Sequence, residues 1–164
     1  MRNKKVLFLT QAALIAALYV VLTLLSNSLG LANQAIQVRF SEALTILPYF
    51  TPAAIPGLFV GCILSNTLTQ CAFLDIVFGS LATLAGAFIT YSLRRYKWMA
   101  PVGPIAANTL VVPFILTYVY EIPGSIFLFM ATVGAGEVIS CGVLGMLLLF
   151  TLNKYRHQIF QTEY

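Results

Sequence analysis

Val6 to Leu25 is a run of about 20 residues without a single charge, enough for a helix to cross the roughly 30 Å hydrocarbon core of a bilayer. Further apolar runs fill much of the remaining chain, separated by prolines, glycines and basic clusters. In hydrocarbon an open sheet edge would leave backbone N–H and C=O groups unpaired. These runs therefore predict helices and exclude strands. The first run follows Arg2, Lys4 and Lys5. It is too long for a signal-peptide core and reads as a retained helix. The chain is 60% hydrophobic and 9% charged over 164 residues. A water-soluble domain could not cover its surface with so few charges. The expectation is one integral membrane domain over residues 1–164, an all-α bundle of six transmembrane helices.

Punctuation residues set the expected helix limits at about 6–26, 40–50, 52–69, 74–93, 103–119 and 125–152. A polar loop over 27–39 precedes the short second helix, which Pro48 limits. That helix is too short to cross upright and must tilt or pack inside protein. Thr51-Pro52 reads as cap and first-turn proline of the third helix. Six crossings put both termini on one side. Arg2, Lys4, Lys5, Arg94, Arg95, Lys97, Lys154 and Arg156 then share that side, which is eight of the nine basic residues. Positive residues favour the cytoplasmic face, so both termini are expected in the cytoplasm. This placement accounts for the +4 net charge without nucleic acid. The outer face becomes mildly acidic, which favours cationic solutes there.

Glu137 is the sharpest individual signal, about 18 Å along the last helix. A carboxylate at that depth costs on the order of 3 kcal/mol and needs a partner or a cavity. Gly134 and Gly136 beside it permit close approach. The alternative is a protonated structural carboxyl. Asn108 lies at nearly the same depth in the preceding helix, so the two side chains are expected to converge. An amide beside a carboxylate suits a flat heterocycle with several donors and acceptors. The alternative for Asn108 is hydrogen bonding between helices.

Arg39, Glu42, Asn66 and Asp75 all fall at outer helix ends and are expected around the mouth of a cavity. The bland reading of Arg39 and Glu42, three residues apart, is an exposed ion pair of little value. Ala12, Ala13, Ala16 and Ala17 form overlapping AxxxA pairs, which suit close approach of a partner helix or packing within the bundle. Gly57/Gly61 and Ala82/Gly86 read as internal packing. Phe78, Phe114 and Phe129 are candidates for stacking on a planar ligand. Cys62, Cys71 and Cys141 lack paired spacing, so neither a metal site nor a disulfide framework is indicated. His157 sits in a basic tail and reads as solvated. The chain has no phosphate loop, HExxH or nucleophile elbow, so an enzyme is not expected.

The run RFSEALTILPYFTPAAIPGLFVGCILSN at 39–66, LDIVFGSLATLAGA at 74–87 and VGAGEVISCGVLG at 133–145 resemble the QueT family. These are substrate-binding (S) components of energy-coupling factor transporters. The resemblance covers nearly the whole chain. It implies a six-helix S-component fold in the cell membrane with the ligand near the outer face. It implies uptake of a queuosine precursor, a 7-deazaguanine base such as 7-aminomethyl-7-deazaguanine, or queuine. It also implies a coupling module of one transmembrane subunit and two ATPases, which use ATP while this chain carries no cofactor. Ala12, Ala13, Ala16 and Ala17 would dock on the coupling subunit. The ring N1–H and exocyclic amine of such a base would meet Glu137. Its carbonyl oxygen or a ring nitrogen would meet Asn108. A cationic aminomethyl group would meet Glu42 or Asp75, and the loop 27–39 would close over the base. Two alternatives stay open: an S component for another nutrient such as a vitamin, and a structural membrane subunit without a ligand.

Overall fold

The computed structural model describes residues 4–31 and 36–159. Arg2, part of the loop 27–39 and the His157 side chain lie outside them. Among the described residues the structure is helical throughout, with no strand. The chain runs through α1 (Lys4–Ser28), a 3₁₀ helix (Phe40–Tyr49), α2 (Ala54–Leu68), α3 (Phe73–Ser92) and α4 (Val102–Tyr118). It then continues through α5 (Ile126–Glu137), a π-helical segment (Val138–Gly145), α6 (Met146–Lys154) and the short α7 (Arg156–Ile159). Four stretches are long and apolar enough to cross a membrane: Lys4–Ser28, Phe73–Ser92, Lys97–Tyr118 and Ile126–Lys154. The shorter apolar Ala54–Leu68 joins them. Large apolar side chains such as Phe127, Phe73 and Leu9 lie exposed around the outside. That much apolar surface fits lipid, not water.

The second expected helix exists at its expected place but winds as a 3₁₀ helix. Its 10 residues therefore rise about 20 Å at roughly 2.0 Å each, against about 15 Å for an α-helix. Runs this long are uncommon. Here every residue from Ser41 to Pro48 is buried, so surrounding helices hold the geometry. The chain reverses after it, where Thr51 N–H donates to Leu47 O at 3.1 Å. The third expected helix begins at Ala54, two residues after Pro52. Thr51 still serves that end: its Oγ1 accepts from Ala53 N–H at 3.3 Å and donates to Gln11 Oε1 at 2.9 Å.

Close backbone approach joins α1 to α2. A β-carbon on Gly57 would stand 2.7 Å from Ala12 O, and one on Gly61 would stand 3.1 Å from Ala16 Cα. The alanine stripe of α1 is thus divided. Ala12 and Ala16 face α2 inside the bundle, while Ala13 and Ala17 face outward. Gly86, as its spacing predicts, packs internally against Pro104. The core gathers around the 3₁₀ helix, with Ile15, Tyr19, Ile46, Leu58, Ala87 and Leu149 buried together. Hydroxyls within the helices turn back on their own backbone: Thr23, Thr67 and Ser80 each donate to the carbonyl four residues earlier. That arrangement satisfies them in an apolar setting. Chain direction puts Lys4, Lys5, Arg94, Arg95, Lys97, Lys154 and Arg156 at one end of the bundle.

Candidate functional site

At the opposite end the helices enclose a cavity of about 330 Å³. Its walls come from the ends of α1, α2 and α4, the starts of α3 and the 3₁₀ helix, and the middle of the last long helix. Glu137, Asn108, Arg39, Glu42, Asn66 and Asp75 all line it. The volume is at the small end of the roughly 300–1,000 Å³ typical of ligand pockets.

Its floor is a hydrogen-bonded cluster. Asn108 Nδ2 donates to Glu137 Oε1 at 2.9 Å and to Glu42 Oε2 at 3.4 Å. The Tyr19 hydroxyl donates to Glu42 Oε1. Cys141 Sγ lies 3.1 Å from Glu137 Oε2 and 3.4 Å from Glu42 O. One oxygen of each glutamate and the Cys141 sulfur lie within 4.8 Å of one another, close enough for a single cation to touch all three. Glu42 is 3% exposed and Asn108 6%, so these groups exchange water for one another and for whatever enters.

Local structure positions each member. Ser125 caps α5 by accepting from Leu128 N–H at 3.3 Å. Glu137 ends α5 where the π-segment begins, and wide turns of this kind recur at functional sites. The π-segment packs along the 3₁₀ helix, with Gly145 against Ile46 and Ala43. Gly136 permits the approach of the segment before the 3₁₀ helix: a β-carbon there would stand 2.1 Å from Gln37 O. Arg39 N–H donates to Ser140 Oγ at 3.2 Å and Phe40 N–H to Ser26 Oγ at 2.8 Å. These bonds hold the half-buried Arg39 on the cavity wall.

The rim is built differently. The Tyr120 hydroxyl donates to Asp75 Oδ2 at 2.7 Å and accepts from Ala72 N–H at 3.1 Å. Partial burial, with Asp75 beside it, holds this phenol above its ordinary range, so it stays a donor. The contact ties the chain after α4 to the start of α3. Gln70 and Glu121 in the two rim loops adopt left-handed backbone, at φ 57° and 51°. Gly79 lies beneath Asp75 and Asn66: a β-carbon there would stand 3.2 Å from Asp75 Oδ1 and 3.4 Å from Asn66 Nδ2.

Three expectations change. Glu42 belongs to the floor with Glu137 and Asn108, because the buried 3₁₀ helix carries it inward. Asn108 spends its amide protons on the two carboxylates, so what it can offer a ligand is its acceptor, Oδ1. Phe78, Phe114 and Phe129 do not line the cavity, and among the described residues Tyr120 is the aromatic one on its wall. Sequence reasoning did not place Tyr19, Gly79, Tyr120 or Cys141 at the site; it read Tyr120 as an anchor at the outer interface and Cys141 as a cysteine without paired spacing. A signal for Cys141 was present, since it follows Glu137 by four residues and so shares its helix face.

Residues 9–154 match the family described as QueT transporter. The chain is 33% identical over 84 residues to the Queuosine precursor transporter QueT of Lactococcus lactis subsp. cremoris. That alignment covers 51% of this chain and 49% of the relative, so the chain spans about half the length of the curated relative it matches. No solved structure matches the chain. The family match covers most of the sequence, and the chain belongs to the QueT transporter family.

Proposed function

We propose that this member of the QueT transporter family is the substrate-binding component of an energy-coupling factor transporter, and that it captures a queuosine precursor for import. The ligand class is a 7-deazaguanine base such as 7-aminomethyl-7-deazaguanine, or queuine. The observation that carries this reading is the convergence of Glu137, Asn108, Glu42, Arg39, Asn66 and Asp75 on one cavity of about 330 Å³. Such a wall of donors and acceptors suits a small, flat, polar heterocycle. The family match and the printed name of the Lactococcus relative support the substrate class.

In this reading the chain crosses the cell membrane six times, with the 3₁₀ helix as the short second crossing and both termini in the cytoplasm. The basic end of the bundle faces inward by the positive-inside rule, and the cavity opens outward. A base enters from outside and the loop 27–39 closes over it. The chain holds no cofactor and performs no covalent step. A partner module of one transmembrane subunit and two ATPases uses ATP to reorient it and release the base inside. Ala13 and Ala17, exposed on α1, offer the docking face, and Ala12 and Ala16 support it from within.

Thermal-shift screening of the purified protein in detergent tests the ligand class. Stabilisation by 7-deazaguanines and not by vitamins is expected. Stabilisation by a vitamin alone would overturn the substrate assignment.

A further inference from the structure

The cavity has two unlike ends. The floor brings two carboxylates, Glu42 and Glu137, within 4.8 Å of each other. The side chains hydrogen-bonded to them are neutral, namely the Asn108 amide, the Tyr19 hydroxyl and the Cys141 thiol, while the Arg39 guanidinium acts on both through space. Among the described residues lining the cavity there are three carboxylates, Glu42, Asp75 and Glu137, against one guanidinium, Arg39. Two carboxyl groups this close and this buried either repel or share a proton. One guanidinium does not balance the carboxylates of the cavity. The rim is a different reader. Over the bare backbone of Gly79 it sets an acceptor, Asp75 Oδ1, beside a donor, Asn66 Nδ2. A guanine-type base carries the complementary pair on one edge: N1–H and the exocyclic amine as donors, beside the C6 carbonyl as acceptor.

Resting on the substrate class proposed above, we propose that the ligand binds with its cationic amine down between Glu42 and Glu137 and its guanine-type edge up against Asp75 and Asn66. An ammonium has three N–H donors, and the floor offers acceptors on Glu42, Glu137 and Asn108 Oδ1. Glu42 and Glu137 are too close together to take opposite ends of one bicyclic base, so both act on the same end. A cation between them lets both carboxylates ionise, which a neutral base does not. The absent side chain at Gly79 leaves room for the flat edge where a methyl group would press on both reading atoms. The site is therefore a selector for purine-like bases with a positively charged side arm.

The test compares two probes on the same preparations: 7-aminomethyl-7-deazaguanine, a cation, and its neutral 7-hydroxymethyl analogue. Affinities are read for the wild type and for Glu137→Gln, Glu42→Gln and Asp75→Asn. Because each variant is scored by the ratio of the two affinities, a partial loss of folded protein cancels. The wild type is expected to prefer the cation by about tenfold or more. Glu137→Gln and Glu42→Gln are expected to collapse that preference, while Asp75→Asn weakens both probes by the same factor. A preference that survives both glutamate changes, or one that vanishes only with Asp75→Asn, would overturn the orientation. Equal binding of the two probes by the wild type would overturn the cation selection while leaving the substrate class standing. Failure of the wild type to bind either probe would overturn the substrate class and this inference with it.

Discussion

Asn108 Nδ2 stands 2.9 Å from Glu137 Oε1, across 29 positions of sequence and between two helices. The same nitrogen reaches Glu42 at 3.4 Å. One amide therefore holds two carboxylates at a fixed separation on the cavity floor. Replacing Asn108 with Ala removes both bonds and leaves the carboxylates facing each other without a spacer. The expected result is a loss of about 1–3 kcal/mol of stability and weaker ligand binding, read by thermal unfolding in detergent and by titration.

Tyr19 carries the floor back to α1. Its hydroxyl donates to Glu42 while its ring packs in the core. Tyr19→Phe keeps the ring and removes the donor from a buried carboxylate. A charge-assisted bond of this kind contributes about 1.5–3 kcal/mol, so the melting temperature of the ligand-free protein should fall. An unchanged melting temperature would show that water replaces the hydroxyl at Glu42.

Gly136 controls the approach of the segment that bears Arg39. A methyl group there would lie 2.1 Å from Gln37 O, so Gly136→Ala must push residues 36–39 outward. Far-ultraviolet circular dichroism should stay unchanged while ligand affinity falls several-fold. Normal affinity would place Arg39 outside the binding event.

Tyr120 links the two rim loops through Asp75 and Ala72. Tyr120→Phe removes one donor and one acceptor, each contributing about 0.5–1.5 kcal/mol net. Faster ligand dissociation with little change in association is the expected outcome in stopped-flow binding. A change confined to association would mean that the rim shapes entry instead of retention.

The two faces of α1 should respond differently. A β-carbon on Gly61 would meet Ala16 and Tyr19, so Gly61→Val should destabilise the fold and lower its melting temperature. Ala17→Trp projects from the exposed face and should spare folding and ligand binding while abolishing coupled uptake. Loss of binding in Ala17→Trp would instead place that face within the ligand-holding bundle.

Much of the helical framework was legible in the chain because prolines, glycines and basic clusters interrupt long apolar runs. The winding of Phe40–Tyr49 and Val138–Gly145 was not. Ser41, Glu42 and Thr45 in the first segment suit an α-helix as well as a 3₁₀ helix, and the second is apolar on nearly every face, so neither pattern reports whether the turn holds three residues, 3.6 or more. The meeting of Asn108 with Glu137 followed from matched depth on adjacent antiparallel helices. The arrival of Glu42 beside them did not, because it depends on the burial of the 3₁₀ helix among α1, α3 and the π-segment. The division of the alanine stripe was hidden for a related reason: four small residues in two registers look alike until a partner helix takes one pair. Gly57 and Gly61 take Ala12 and Ala16.

The most direct measurement is equilibrium titration of the purified protein with 7-aminomethyl-7-deazaguanine, run in parallel on Glu137→Gln. Saturable one-to-one binding by the wild type, weakened by about tenfold or more in the variant, is the predicted result. Equal binding by wild type and variant, or no binding by the wild type, would contradict the account.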